Sequence, residues 1–220
     1  MHQIVTMPRE YSNLELKMQE YTSVNKVVVF IMLCMIYFLL LFVKQTFVID
    51  QIPAFQFLEG PSLLIFKLTV GLKYISVPLV FAWKFTIIGF ILWIGCFLWG
   101  YRVSYKQCWQ IAMFGEIIFF VPQVITILWF FLIDTDPTYW EVQAFYPLSY
   151  MNFFNQAEIA DKYHYVNSAL NLFEITYWIL LTYGIHFAAR KKKSIANAIV
   201  FTSYVPIFLL WLWFYLGVSG

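Results

Sequence analysis

An all-α bundle of membrane-spanning helices is the fold class this sequence predicts, and three observations predict it. Hydrophobic residues make up 62% of the 220 and charged residues only 12%, about half the charge a soluble domain carries. Aromatic residues reach 22%, excessive for a soluble core but suited to helices that meet lipid and its interfaces. Five apolar runs reach the roughly twenty residues needed to cross a bilayer: about 27–48, 77–99, 109–133, 168–188 and 195–217. The expected architecture is a polytopic bundle of five transmembrane helices plus a surface helix. Residues 1–26 form a cytoplasmic N-terminal segment, and 27–217 a membrane domain with outer loops at about 49–76 and 134–168.

Each element has its own justification. In 8–22, "PREYSNLELKMQEYT", Ser12 and Glu15 have capping-box spacing, and Leu14, Met18 and Tyr21 share one face. This predicts a short amphipathic helix resting on the membrane. Residues 1–25 lack the basic start, short apolar core and cleavage site of a secretory signal, so the first run, "VVVFIMLCMIYFLLLFV", is read as an anchor. The stretch 60–75, "GPSLLIFKLTVGLKYI", is interrupted by Lys67, Gly71 and Lys73. It predicts a separate surface helix starting after Pro61, with a re-entrant segment as the alternative. "YRVSYKQC" (101–108) and "RKKKS" (190–194) are short, basic breaks between spans. The loop 134–168 carries nine aromatics: Tyr139, Trp140, Phe145, Tyr146, Tyr150, Phe153, Phe154, Tyr163 and Tyr165. With no evident apolar core of its own, this loop either hugs the membrane surface or docks on a partner.

Orientation follows from the basic residues. With the N-terminus inside, the cytoplasmic side holds Arg9, Lys17, Lys26, Arg102, Lys106, Arg190, Lys191, Lys192 and Lys193, against Lys44, Lys67, Lys73 and Lys162 outside. That imbalance predicts N-inside and C-outside.

Charges within the spans are the candidate functional groups. Lys84 in "AWKFT" and Glu174 in "NLFEITYWIL" each fall about 10 Å below the outer end of a run. Opposite sign at matched depth predicts a buried pair, because a lone charge there costs several kcal/mol. A bundle-orienting pair is the plainer reading of it, a transport role the sharper one. Glu116, on the third run, is within reach of His186 or Arg190, or stays protonated. A proton relay needs titratable groups across the whole membrane, and these charges are too sparse for one.

Other chemistry finds little footing. The net charge of +2 has no dense basic face of the kind nucleic acid requires. No HExxH, GxSxG or phosphate-gripping glycine loop occurs. His2, His164 and His186 are too dispersed to share a metal, and Cys34, Cys96 and Cys108 suggest neither a disulfide framework nor a thiolate site. No cofactor is expected.

The stretches "VSYKQCWQIAMF" (103–114), a Ser-Tyr entry to the third span, and "LNLFEITYWILLTYGI" (170–185), an Asn-x-Phe-x-x-x-x-Trp pattern before a glycine, resemble the bacterial branch of the Yip (Ypt-interacting protein) five-span membrane family. The likeness covers roughly 77–217 and brings no catalytic residue with it. It implies a non-enzymatic accessory or scaffold subunit of a transport complex in the bacterial cytoplasmic membrane. The implied partners are the permease and ATPase of a macrolide-exporter-type ABC transporter and its periplasmic adaptor, with the bilayer as surroundings. The family's GTPase-binding role depends on a longer cytoplasmic N-terminal region than the 25 or so residues here. On this reading Trp140, Phe145, Tyr150, Phe153 and Phe154 dock the partner. Two other functions are weighed: a small transporter or channel using Lys84, Glu116 and Glu174, and an intramembrane lipid-modifying enzyme with Glu116 and His186 as acid and base.

Overall fold

A computed structural model describes residues 25–57, 59–134, 136–153, 159–190 and 192–218. The expected helix over 8–22 and Phe154 lie outside the described residues. Among the described residues, five helices are long and apolar enough to cross a membrane: Lys26–Ile49, Gly60–Leu98, Tyr105–Leu132, Leu172–Ala189 and Lys193–Val218. Among the described residues there is no strand, only an isolated bridge between Ser149 and Asn171. The chain is an all-α polytopic bundle.

The first span is α1 (Lys26–Lys44), capped by the Asn25 side chain accepting from the Val27 N–H. It ends in a π turn over Gln45–Ile49, closed by the Asp50 N–H on the Gln45 carbonyl at 2.8 Å. A short turn, α2 (Pro53–Gln56), leads into α3 (Gly60–Leu98). Pro61 sits in the first turn of α3, where a missing N–H costs nothing.

The expected surface helix over 60–75 is not a separate element. It is the first half of α3, which runs unbroken through Pro78. No turn-forming pair separates 75 from 77, and a proline inside a helix kinks it without ending it. At 39 residues α3 is about 58 Å long, roughly twice the hydrocarbon thickness. Its N-terminal end lies against the loop elements, with Phe66 stacked on Phe55 at 4.6 Å.

Gly100, at φ +74°, supplies the left-handed turn after α3 that a side chain would resist. Ser104 then caps α4 (Tyr105–Gly115) in a reciprocal box with Gln107. The third span tightens to a 3-10 turn over Glu116–Phe119 before resuming as α5 (Phe120–Leu132). Pro122 explains the tightening: it cannot donate to the Ile118 carbonyl, and its ring crowds that group.

The long loop folds into α6 (Tyr139–Ala144), a 3-10 turn over Tyr150–Phe153 and α7 (Asp161–Ala169). The last two spans, α8 (Leu172–Ala189) and α9 (Lys193–Val218), form a hairpin whose turn holds Arg190 in the left-handed region at φ +51°. One end of the bundle gathers 99–104, Arg190, Lys192 and the start of α1. The other, the loop face, gathers 45–57, 133–134, 136–153, 159–171 and the end of α9, where Trp211 Nε1 donates to the Tyr165 hydroxyl at 3.1 Å.

Two apolar cores hold this together. The main one packs Phe85, Leu92, Met113, Tyr177, Leu181, Ile185 and Val200 between spans. The second unites Val48, Ile49, Ile52, Phe130 and Val142, with Phe55, Phe66, Tyr139 and Phe145 against them. The long loop was expected to lack a core; it shares this one with the ends of α1 and α5.

Candidate functional site

The buried charges are the natural starting point, and they pair differently from the sequence expectation. Lys84 Nζ meets Glu116 Oε1 at 2.8 Å, not Glu174. The same ammonium lies 4.3 Å over the Phe119 ring, a cation–π contact from the residue that ends the 3-10 turn. Of the alternatives open for Glu116, Lys84 fills the role offered to His186 or Arg190. Depth explains the change of partner. Lys84 is about 21 Å from the far end of α3 and Glu116 about 16 Å from the start of α4. These two helices also pack directly against one another.

Glu174 is not deep in a span. The apolar run read as beginning near 168 is broken at Leu170, and Asn171 caps α8, its side chain accepting from the Glu174 N–H at 2.8 Å. Glu174 therefore sits in the first helical turn, where the helix dipole favours an anion. Its Oε1 accepts from Trp178 Nε1, one turn on, and from the Tyr204 hydroxyl of α9, each at 2.9 Å. The question of what balances this charge thus has a different answer: two neutral donors and a helix terminus.

Between the two carboxylates stands Tyr177, fully buried, its hydroxyl donating to the Ala112 carbonyl at 3.3 Å. Its ring abuts Gly115, where an added Cβ would come within 2.5 Å of Cε2. The tyrosine thereby wedges α8 against the turn that carries Glu116. Glu116 is 4% exposed, and its Oε2 has no hydrogen-bond partner among the described residues. His186 lies toward the opposite end of α8, its ring 5.0 Å from that of Phe187. Cys34, Cys96 and Cys108 are buried free thiols, and the described residues hold no cluster suited to a metal ion.

Above this charged layer the loop face covers a cleft of about 560 Å³, a volume typical of small-molecule sites. Tyr37, Phe81 and Phe119 line its deep end; Lys44, Lys73, Gln123 and Gln143 lie nearer the loops. Sequence reasoning missed it, because its polar residues come from elements far apart in the chain and none stands out alone.

The loop aromatics divide. Phe145 packs inward, 5.4 Å from Trp129 and 5.2 Å from Phe130, so it anchors the loop and is not free to dock a partner as expected. Trp140 and Phe153 project outward at 78% and 82% exposure, and Tyr150 is also exposed. Glu141 closes a capping box on Thr138 at 2.6 Å from its N–H. That backbone bond, with the Thr138 hydroxyl, holds the carboxyl below the usual glutamate range.

No family model, curated protein or solved structure matches the chain.

Proposed function

We propose that the chain is a non-enzymatic accessory subunit of a transport complex in the bacterial cytoplasmic membrane, with the N-terminus inside and the loop face outside. The observation that carries this reading is the build of the loop face. Val142 and Met151 are buried and Phe145 is pinned against α5, which fixes the layer in place. Yet Trp140 and Phe153 are left almost wholly uncovered. Rigid, exposed aromatics are the residue types that dominate binding at protein interfaces. The resemblance of 103–114 and 170–185 to the bacterial Yip branch supports an ABC exporter of the macrolide type, with its periplasmic adaptor, as the complex. The basic residues at the opposite end support the orientation.

Purification in mild detergent tests the reading. Trp140→Ala/Phe153→Ala should lose the co-purifying permease, ATPase or adaptor while the spans stay inserted. Retention of every partner by that variant would overturn it.

The second reading, a small transporter or channel, draws on one observation: the buried Glu116 Oε2 beside Lys84, without a hydrogen-bond partner among the described residues. Such an acceptor in a membrane interior is costly unless it takes up something. Proteoliposome ion flux abolished by Glu116→Gln would favour this reading over the accessory role.

A further inference from the structure

The cleft under the loop face has a polarity gradient that three spans build in the same sense. On α1, Tyr37 and Leu41 line its deep part and Lys44 and Gln45 its upper part. On α3, which runs the other way, Lys73 and Ser76 come first and Val77, Val80 and Phe81 follow more deeply. On the third span Phe119 lies deep, with Gln123 and Thr126 above it. Each set follows helical spacing, so each helix turns one stripe toward the cleft. Val80 is 54% exposed, so the apolar foot opens sideways on the face of α3, where acyl chains would lie.

The charge in the cleft is all of one sign. Lys44 and Lys73 line the same cleft, and no Asp or Glu lines it with them among the described residues. Asp50, the nearest acid along the chain, is held by Gln45 Nε2 at 2.7 Å and faces the neighbouring hollow with Lys67. The side-chain amides of Gln123 and Gln143 make no hydrogen bond among the described residues. Thr126 and Ser168, by contrast, are satisfied by the Pro122 and Tyr165 carbonyls. Two cations and two open amides lining one cleft above an apolar foot match one ligand chemistry.

We propose that this cleft binds an anionic amphiphile of the membrane, with a phosphate headgroup between Lys44 and Lys73 and an acyl chain along Val77, Val80 and Phe81. The headgroup supplies the anion the lysines lack, and its oxygens accept from the glutamine amides. Free phosphate shares the headgroup chemistry but leaves the apolar foot unfilled. This assignment is independent of the accessory role, since it concerns the interior of the chain and not its outer aromatics.

Native mass spectrometry of the full chain in detergent, titrated with dioleoyl phosphatidylglycerol or dioleoyl phosphatidylcholine, reads the affinity of the first bound lipid. Phosphatidylglycerol should bind roughly thirtyfold more tightly, the scale expected for two lysines beside one anion. Lys44→Gln/Lys73→Gln should remove that preference, while Lys67→Gln, in the adjacent hollow, should keep it. If the double variant does not fold, Lys73→Gln alone should lower the preference severalfold. Val80→Trp, which fills the foot without changing charge, should weaken phosphatidylglycerol binding. Equal affinity for the two lipids, equal loss in Lys67→Gln, or no effect of Val80→Trp would overturn the proposal. So would glycerol 3-phosphate competing as well as the intact lipid, which would make this a site for free anions.

Discussion

Lys84 and Glu116 show how unequal the two halves of a buried ion pair can be. The Lys84 side chain is 36% exposed and can swing its ammonium away, whereas Glu116 is enclosed at 5%. Lys84→Met therefore strands the enclosed carboxylate and should lower stability by about 3 kcal/mol, the usual cost of breaking such a pair. Glu116→Gln should cost less, because the freed lysine can reach a more polar level. In thermal unfolding in detergent, Lys84→Met/Glu116→Gln should be less harmful than the two singles summed; simple additivity would refute the pairing. Tyr204→Phe removes one donor from Glu174 and should cost about 1.5–3 kcal/mol, the range for a hydrogen bond to a charged group. Gly115→Ala drives a methyl into the Tyr177 ring and should cost about 1–3 kcal/mol through overpacking.

At the scale of elements, the caps and prolines decide where helices begin and bend. Asn171 caps α8, and its Nδ2 also donates to the Ser168 and Ala169 carbonyls at 3.0 and 3.2 Å. Asn171→Ala should therefore cost about 1–2 kcal/mol, read as a lower unfolding temperature. The Thr138–Glu141 box adds a pH-dependent contribution to α6. A carboxyl held below its ordinary value stabilises the fold above that value, near 4.5, and loses the effect as pH falls through the lowered one. Amide exchange in α6 should accelerate on acidification through that range, and Glu141→Gln should abolish the response. These elements also mark what the sequence revealed. The five apolar runs were legible because length and hydropathy alone define a span. The joining of 60–75 to the second run was not, since Lys67, Gly71 and Lys73 looked like interruptions although none breaks a helix. Asn171 hid inside an apolar run, and missing its cap moved Glu174 from a first turn into an imagined interior. That error of depth made Lys84 look like its partner. Phe145 looked like its exposed neighbours because nothing local reveals that it turns toward Trp129 and Phe130.

For the whole molecule, five crossings put the loop face on one side of the membrane and the basic turns on the other. The exposed aromatics proposed to dock a partner and the lysine-rimmed cleft both belong to the loop side, and both proposals fail if that side is wrong. Single cysteines introduced at Trp140, Lys162, Arg102 and Lys192 test this directly, because the three native thiols are buried and shielded from label. In intact cells a membrane-impermeant maleimide should modify positions 140 and 162 and spare 102 and 192 until the membrane is opened. Labelling of 102 or 192 from outside, or protection of 140 and 162, would contradict the account.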